Sequence, residues 1–195
     1  MGKGKQPVLA LDLDGVCADY VQGMRQHLDL SGHQGALGLP EPDVYNFHEA
    51  TGWPFTSLED FVSAHRSGVE AGIYGDLPLI EGAVPALKSL SDDEVHIRVL
   101  THRLFISGLH QRVVTDTVAW LDRNNIPYRS LCFAESKDSV DADLYIDDSP
   151  KNIEMLQGTG KNVIVFDQSY NRDVVAPRAH NWTEAEAMIR GSLLS

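Results

Sequence analysis

Leu11-Asp12-Leu13-Asp14-Gly15-Val16 closes an apolar run that begins at Val8, and the rest of the chain is best read outward from it. Val8–Leu13 is nearly continuous in apolar residues, as a strand buried on both faces of a parallel sheet should be. Two carboxylates two residues apart at its end are unusual. Aspartate is a poor strand former, and a period of two puts both side chains on one face of the strand tip. Ligand sites of open α/β sheets lie just beyond the carboxyl ends of their strands. Gly15 allows a sharp turn and close approach of the backbone to a ligand. The competing interpretation is a solvated turn with helix-capping aspartates, and a lone Asp-x-Asp-Gly does not decide between the two.

Four further β-branched runs have the same character: His96–Leu100, Ser130–Ala134, Leu144–Ile146 and Asn162–Phe166. Between them Ala83, Leu87 and Leu90 mark one helix, and Val113, Val114, Thr117, Ala119, Trp120 and Leu121 mark another. Strands alternating with helices predict a doubly wound, mainly parallel α/β sheet. Residues 21–76 break the alternation. They show no strand pattern, recurrent glycine and proline, and a concentration of aromatics and histidines that includes Tyr45, Phe47, His48, Trp53, Phe55, Phe61, His65 and Tyr74. A segment that long inside a compact domain has structure of its own and often covers a site. The expected organisation is a core of residues 7–20 and 77–195 with a mostly helical cap, 21–76, inserted after the first strand. No internal repeat is visible.

Composition narrows the function. The 195 residues have an apolar fraction of 43%, enough for a sizeable core, and no run nears the ~20 apolar residues that span a bilayer. The first seven residues, MGKGKQP, lack the apolar stretch of a secretory signal and read as a disordered leader. A net charge of −12, from 16 basic and 28 acidic residues, disfavours nucleic-acid polymers and anionic membranes as partners. Small phosphorylated molecules stay open, because a local cation overrides the overall charge. Cys17 and Cys132 sit in apolar contexts and read as buried free thiols, which suits a reducing, cytoplasmic setting.

The other strand ends also carry polar residues. Leu144-Tyr145-Ile146-Asp147-Asp148-Ser149-Pro150 again runs from strand into paired carboxylates. Two such groups at low dielectric repel, and a divalent cation resolves the conflict; Mg²⁺ prefers six oxygen ligands. Ser149 and Pro150 then read as a helix start, serine as N-cap and proline at the first helical position. Val99-Leu100-Thr101-His102-Arg103 places a hydroxyl and loop amides at a strand end, and Lys137 follows the strand that ends at Ala134. These groups suit a phosphoryl anion. Exposed threonines and lysines are common, and only the order and context of the four elements make them specific.

Those four elements, in this order, resemble the haloacid dehalogenase-like phosphatase superfamily and its Rossmann-like fold. Within it the chain resembles the 5′(3′)-deoxyribonucleotidase family, through Asp12-Leu-Asp-Gly-Val-Cys-Ala-Asp-Tyr20, Gly72-Ile-Tyr-Gly-Asp-Leu-Pro-Leu-Ile-Glu-Gly-Ala83, and Tyr170-Asn171-Arg172 with Pro177-Arg178 and Asn181-Trp182. The resemblance implies a Mg²⁺-dependent phosphomonoesterase. Asp12 would be the nucleophile that forms an aspartyl-phosphate, and Asp14 the acid and base. Metal ligands would come from the Asp12 and Asp148 side chains, the Asp14 backbone carbonyl, and Asp147 through water. Thr101 and Lys137 would cradle the phosphoryl group. It also implies cap aromatics that stack a base, at Tyr20, Phe47 and Tyr74, with His102 and Arg103 as further substrate contacts. This sequence departs from the family in carrying His48 in place of a tryptophan, Ile73 at an aromatic position, and His102-Arg103 in place of a short polar pair.

The expected substrate is therefore small and phosphorylated, a nucleoside monophosphate in the first instance, and the protein is compatible with a homodimer. The rivals are a phosphatase for another small metabolite, a non-catalytic phosphate-binding module, and a 3′-phosphatase for nucleic-acid ends, which the net charge disfavours. Phe47, Trp53, Phe55 and Tyr74 read equally well as a small core inside the cap. His27, His33, His65 and His110 lack metal-like spacing and read as surface or satisfied helix residues. Trp120 and Trp182 read as core. Arg172 and Arg178 read either as substrate contacts or as surface residues.

Overall fold

The computed structural model describes residues 5–194. Residues 1–4 of the expected leader lie outside the described residues. Its next two are held: Lys5 pairs with Asp143, and the Gln6 amide donates to the Glu94 carbonyl. Six strands, β1 (Val8–Leu11), β2 (His96–Thr101), β3 (Ser130–Phe133), β4 (Leu144–Asp147), β5 (Val163–Phe166) and β6 (Arg178–Ala179), form one sheet in the order β3-β2-β1-β4-β5-β6. Every pairing is parallel. β1 lies centrally, with Leu9 opposite Ile97 on one side and Leu144 on the other.

The near-continuous apolar strands have the reason expected of them. Leu9, Leu11, Ile97, Val99 and Ile146 join one core, against Leu87 and Leu90 of α4 (Ala83–Asp92), Val113 and Trp120 of α5 (His110–Arg123) and Ile189 of α7 (Trp182–Leu193). Ala10, Leu100, Tyr145 and Val165, pointing the other way, join Ile153 and Leu156 of α6 (Pro150–Gly158). Burying both faces removes the alternation that a half-exposed strand would show. No helix among the described residues is long and apolar enough to cross a membrane.

Several expectations need correction. β1 stops at Leu11, not Leu13. The Asp12 N–H still reaches the Ile146 carbonyl at 3.1 Å, but the Leu13 carbonyl then accepts from Cys17 and Ala18, both at 2.8 Å, and the chain coils into a tight loop. β6 was not foreseen; two residues between Pro177 and His180 carry no pattern, and the strand exists because Val165 and Phe166 pair with it. Ser149 occupies the N-cap of α6, but its hydroxyl makes no capping bond; its backbone N–H instead donates to Asp147 Oδ1 at 2.9 Å. Both cysteines are free, Cys17 buried and Cys132 only partly so.

From Tyr20 the chain leaves the sheet as α1 (Tyr20–Leu30), passes a 3₁₀ turn (Ala36–Gly38) and an irregular stretch, and returns through α2 (Leu58–Ala71) and the short α3 (Ile73–Asp76). Asp19 caps α1, accepting from the Gln22 N–H at 2.9 Å. Inside this insertion Phe47 lies edge-on to Trp53, with ring centres 4.7 Å apart, and stacked with Phe61 at 5.7 Å. Two buried tryptophans tie the loops down. The Trp120 indole donates to the Leu77 carbonyl at 2.7 Å, and that of Trp182 to the Val16 carbonyl at 2.9 Å.

Candidate active site

The carboxyl ends of β1, β2 and β4 open onto a cavity of about 390 Å³ whose far wall is the insertion. Asp12 follows β1, Thr101 ends β2, and Asp148 follows β4; Lys137 begins the 3₁₀ turn Lys137–Ser139 beyond β3. Parallel strands side by side deliver these residues to one floor, although they are far apart in sequence.

Lys137 is the hub of the floor. Its ammonium lies 2.8 Å from Asp12 Oδ1 and 2.6 Å from Asp147 Oδ2. Burial alone would depress its pKa; Asp12 and Asp147 outweigh that and hold it above the usual lysine range. Asp12 is 8% exposed, and its pKa is pushed up to about 7, by burial first, against the pull of Lys137 and with repulsion from Asp147. Asp148 is driven well above the carboxylate range by burial and then by Asp12 and Asp147.

Asp12, Asp147 and Asp148 each offer an oxygen within 4.8 Å of the others. Three buried carboxylates, once ionised, would leave excess negative charge against a single ammonium, and an all-oxygen donor set suits a hard divalent cation. The two β4 aspartates are not equivalent. Asp147 accepts from Lys137, from the Ser149 N–H and from the Asn152 amide at 3.2 Å, and stays behind the cavity wall. Asp148 lines the cavity, and its Oδ2 accepts from the Tyr170 hydroxyl. Asn171 braces this loop by donating to the Asp148 and Phe166 carbonyls at 2.8 and 2.9 Å. Gly15 (φ +78°) sits so close to Asp148 and the Tyr170 hydroxyl that a β-carbon would collide with both.

Tyr20, Phe47, Tyr74 and His102, expected as substrate contacts, line the cavity together with Asp12, Asp14, Thr101, Lys137 and Asp148. Arg103, expected there too, does not. It is 1% exposed and points inward, with Nε 2.9 Å from Asp14 Oδ2, Nη2 2.6 Å from Asp14 Oδ1 and Nη1 3.0 Å from Thr117 Oγ1. Each of its three nitrogens bonds inside the protein, and Arg103 does not line the cavity. Arg178 is likewise structural, bound to Asp167 and Asn171 at 2.6 and 2.8 Å.

Sequence reasoning missed His65, Tyr45, Phe105 and Tyr170, which also line the cavity. Of the two readings given for it, surface residue or satisfied helix residue, His65 is the second, buried in α2. Its Nδ1 lies 2.6 Å from the Tyr20 hydroxyl and its Nε2 3.2 Å from that of Tyr74, while Phe105 stacks on the ring at 4.6 Å. Burial pushes its pKa down to about 4, so the imidazole is neutral near pH 7. The spacing of Phe61, His65 and Val69 would have put His65 on the inner face of α2. Tyr170 follows the carboxyl end of β5, another position at which such sheets build sites.

Comparison with known proteins agrees with this geometry. The family model described as "5' nucleotidase, deoxy (Pyrimidine), cytosolic type C protein" matches residues 6–194. A protein of Chlorobaculum tepidum named "Putative 5'(3')-deoxyribonucleotidase" is 40% identical over 184 residues, covering 94% of this chain and 90% of that one. Among solved structures, a defluorinating L-2-haloacid dehalogenase aligns with a TM-score of 0.62 at 13% identity, over 94% of this chain and 95% of that one. A haloacid dehalogenase-like family hydrolase of Streptococcus pneumoniae gives 0.62 at 15% identity, over 94% and 98%. At such identities the structures speak for the fold alone, whereas the family match spans nearly the whole chain. This chain belongs to the cytosolic type C 5′ nucleotidase family, phosphatases built on the haloacid dehalogenase-like fold.

Proposed function

We propose that the protein hydrolyses deoxyribonucleoside 5′- or 3′-monophosphates with Mg²⁺, through a phosphoryl group carried on Asp12. The observation that carries this reading is the floor itself. One carboxylate is ion-paired to a buried lysine beside two more, beneath an aromatic wall of Tyr20, Phe47 and Tyr74.

Asp12 attacks phosphorus, and the bond to the ester oxygen breaks as Asp14 gives that oxygen a proton; the nucleoside leaves. Asp14, now a carboxylate, takes a proton from water as the water attacks the aspartyl-phosphate. Inorganic phosphate leaves and Asp12 is regenerated. Lys137 and the Thr101 hydroxyl hold phosphoryl oxygens in line for both steps. Asp12, Asp148 and the Asp14 carbonyl would hold Mg²⁺, with Asp147 behind them, and the ion would neutralise charge building up on the phosphoryl oxygens. The aromatic wall excludes water and gives a base a surface to stack on.

A kinetic panel tests the reading. With Mg²⁺, kcat/KM for deoxyribonucleoside monophosphates should exceed that for sugar phosphates, and Asp12→Asn should cost roughly a thousandfold or more. Equal, low activity on every ester would remove the nucleotide assignment, and substantial turnover by Asp12→Asn would remove the nucleophile.

A further inference from the structure

Asp14 lines the cavity, 27% of its side chain is exposed, and its carboxylate is held from one side only. Both hydrogen bonds to it come from Arg103, at 2.9 and 2.6 Å, and among the described residues no other donor reaches either oxygen. The paired bonds of a guanidinium fix the position of a carboxylate and also the rotation of its plane, which a point charge does not do. Arg103 in turn is clamped. Its third nitrogen, Nη1, donates to Thr117 of α5 at 3.0 Å, and its guanidinium carbon lies 4.3 Å from the ring centre of Tyr74, at the return of the insertion.

We propose that Arg103 is the positioning residue for the acid and base of this site: it aims the Asp14 carboxylate at the leaving oxygen, and Thr117 and Tyr74 keep the fork itself in place. The proposal rests on the reading of Asp14 as proton donor. Arg103 moves no proton; a guanidinium stays charged throughout. When Asp14 releases its proton to the leaving oxygen, the new carboxylate forms where two N–H donors already point, and from there it accepts the proton of the attacking water. An ion pair serving stability alone would have no need of a partner at a cavity wall, and burying one is a weak source of stability in any case.

The two roles differ in how the loss depends on the leaving group. An alkoxide needs a proton as it departs, whereas a nitrophenolate leaves readily without one. kcat/KM reports steps up to the first irreversible one, so it isolates transfer to Asp12. Arg103→Met should lower kcat/KM for a deoxyribonucleoside monophosphate about 100-fold, within the usual range for general acid catalysis. It should lower that for p-nitrophenyl phosphate by less than about tenfold, and leave competitive inhibition by inorganic phosphate within a factor of two. Asp14→Asn should show the same contrast, and the double variant should be no slower than Asp14→Asn alone, since both remove one function.

Equal losses on both esters, or losses that multiply in the double variant, would overturn the proposal. Arg103→Lys covers a failure of Arg103→Met to fold. It keeps the charge and loses the fork, so it should retain the contrast at smaller size; wild-type behaviour in the lysine variant would also overturn the proposal. If Asp14→Asn itself shows no dependence on the leaving group, what fails is the assignment of Asp14 as acid, which is a different outcome.

Discussion

Asp147 and Asp148 are adjacent, chemically identical and both buried, yet their surroundings separate them. Asp147 has its oxygens engaged by Lys137, Ser149 and Asn152, while Asp148 faces the cavity with only the Tyr170 hydroxyl on it. A ligand needs a free lone pair, so Asp148→Ala should raise the Mg²⁺ concentration for half-maximal activity by roughly tenfold or more, in line with the worth of a metal-site contact. An unchanged metal titration would move that role to Asp147. Asp12, Asp14 and the β4 pair were legible because each is a short-range departure from pattern, a charge where an apolar strand should continue. The inward turn of Arg103 and the place of His65 at the cavity were not legible for the opposite reason. Whether a loop arginine turns in or out, and whether a helical histidine meets two tyrosines, depends on segments brought together only by the fold.

The elements around the site meet more closely than their sequences advertise. α1 crosses the return of the insertion at Gly23, where a β-carbon would strike a methyl of Leu77. Gly23→Ala gains the helix propensity of alanine, below about 1 kcal/mol, but overpacks a buried contact, which typically costs about 1–3 kcal/mol. The net should be destabilising in urea unfolding, and a stabilised variant would mean that α1 and Leu77 part freely. Five of the six strands were visible in the sequence as short apolar runs; two-sided burial leaves that signature in β1, β4 and β5, while β3, at the sheet edge, is only half-buried. The end of β1 was misplaced by two residues, since Leu13 is buried in the loop as completely as Leu11 is in the strand. The helical content of the insertion was expected from the absence of strand pattern; its irregular middle, held by Phe47, Trp53 and Phe61, has no periodicity to read.

For the molecule as a whole, the carboxylates of the floor couple stability to pH. With no cation bound, Asp12 has a folded pKa of about 7, above its ordinary value of 3.8, and Asp148 moves the same way. The folded state therefore keeps protons that the unfolded chain has lost. This contribution is complete below the ordinary carboxylate range and fades as pH climbs through about 7. His65 has the opposite sign: held near 4, it adds stability as pH rises from there to its ordinary 6.5. In chelator, loss of the Asp12 contribution should lower the wild-type Tm between pH 6.5 and 8, opposed only by the tail of the His65 gain as the unfolded imidazole finishes titrating, and Mg²⁺ at pH 8 should restore several degrees. Asp12→Asn should flatten the drop; an identical profile in the variant would show that Asp12 is not its source.

The central place of β1 has a kinetic consequence. Its neighbours on either flank are separated from it by the insertion, by α4 and, on the β4 side, by well over half the chain, with Leu9 waiting for both Ile97 and Leu144. Such high contact order slows the search for the native topology, and an apolar strand synthesised before both of its partners is a target for aggregation and for chaperones.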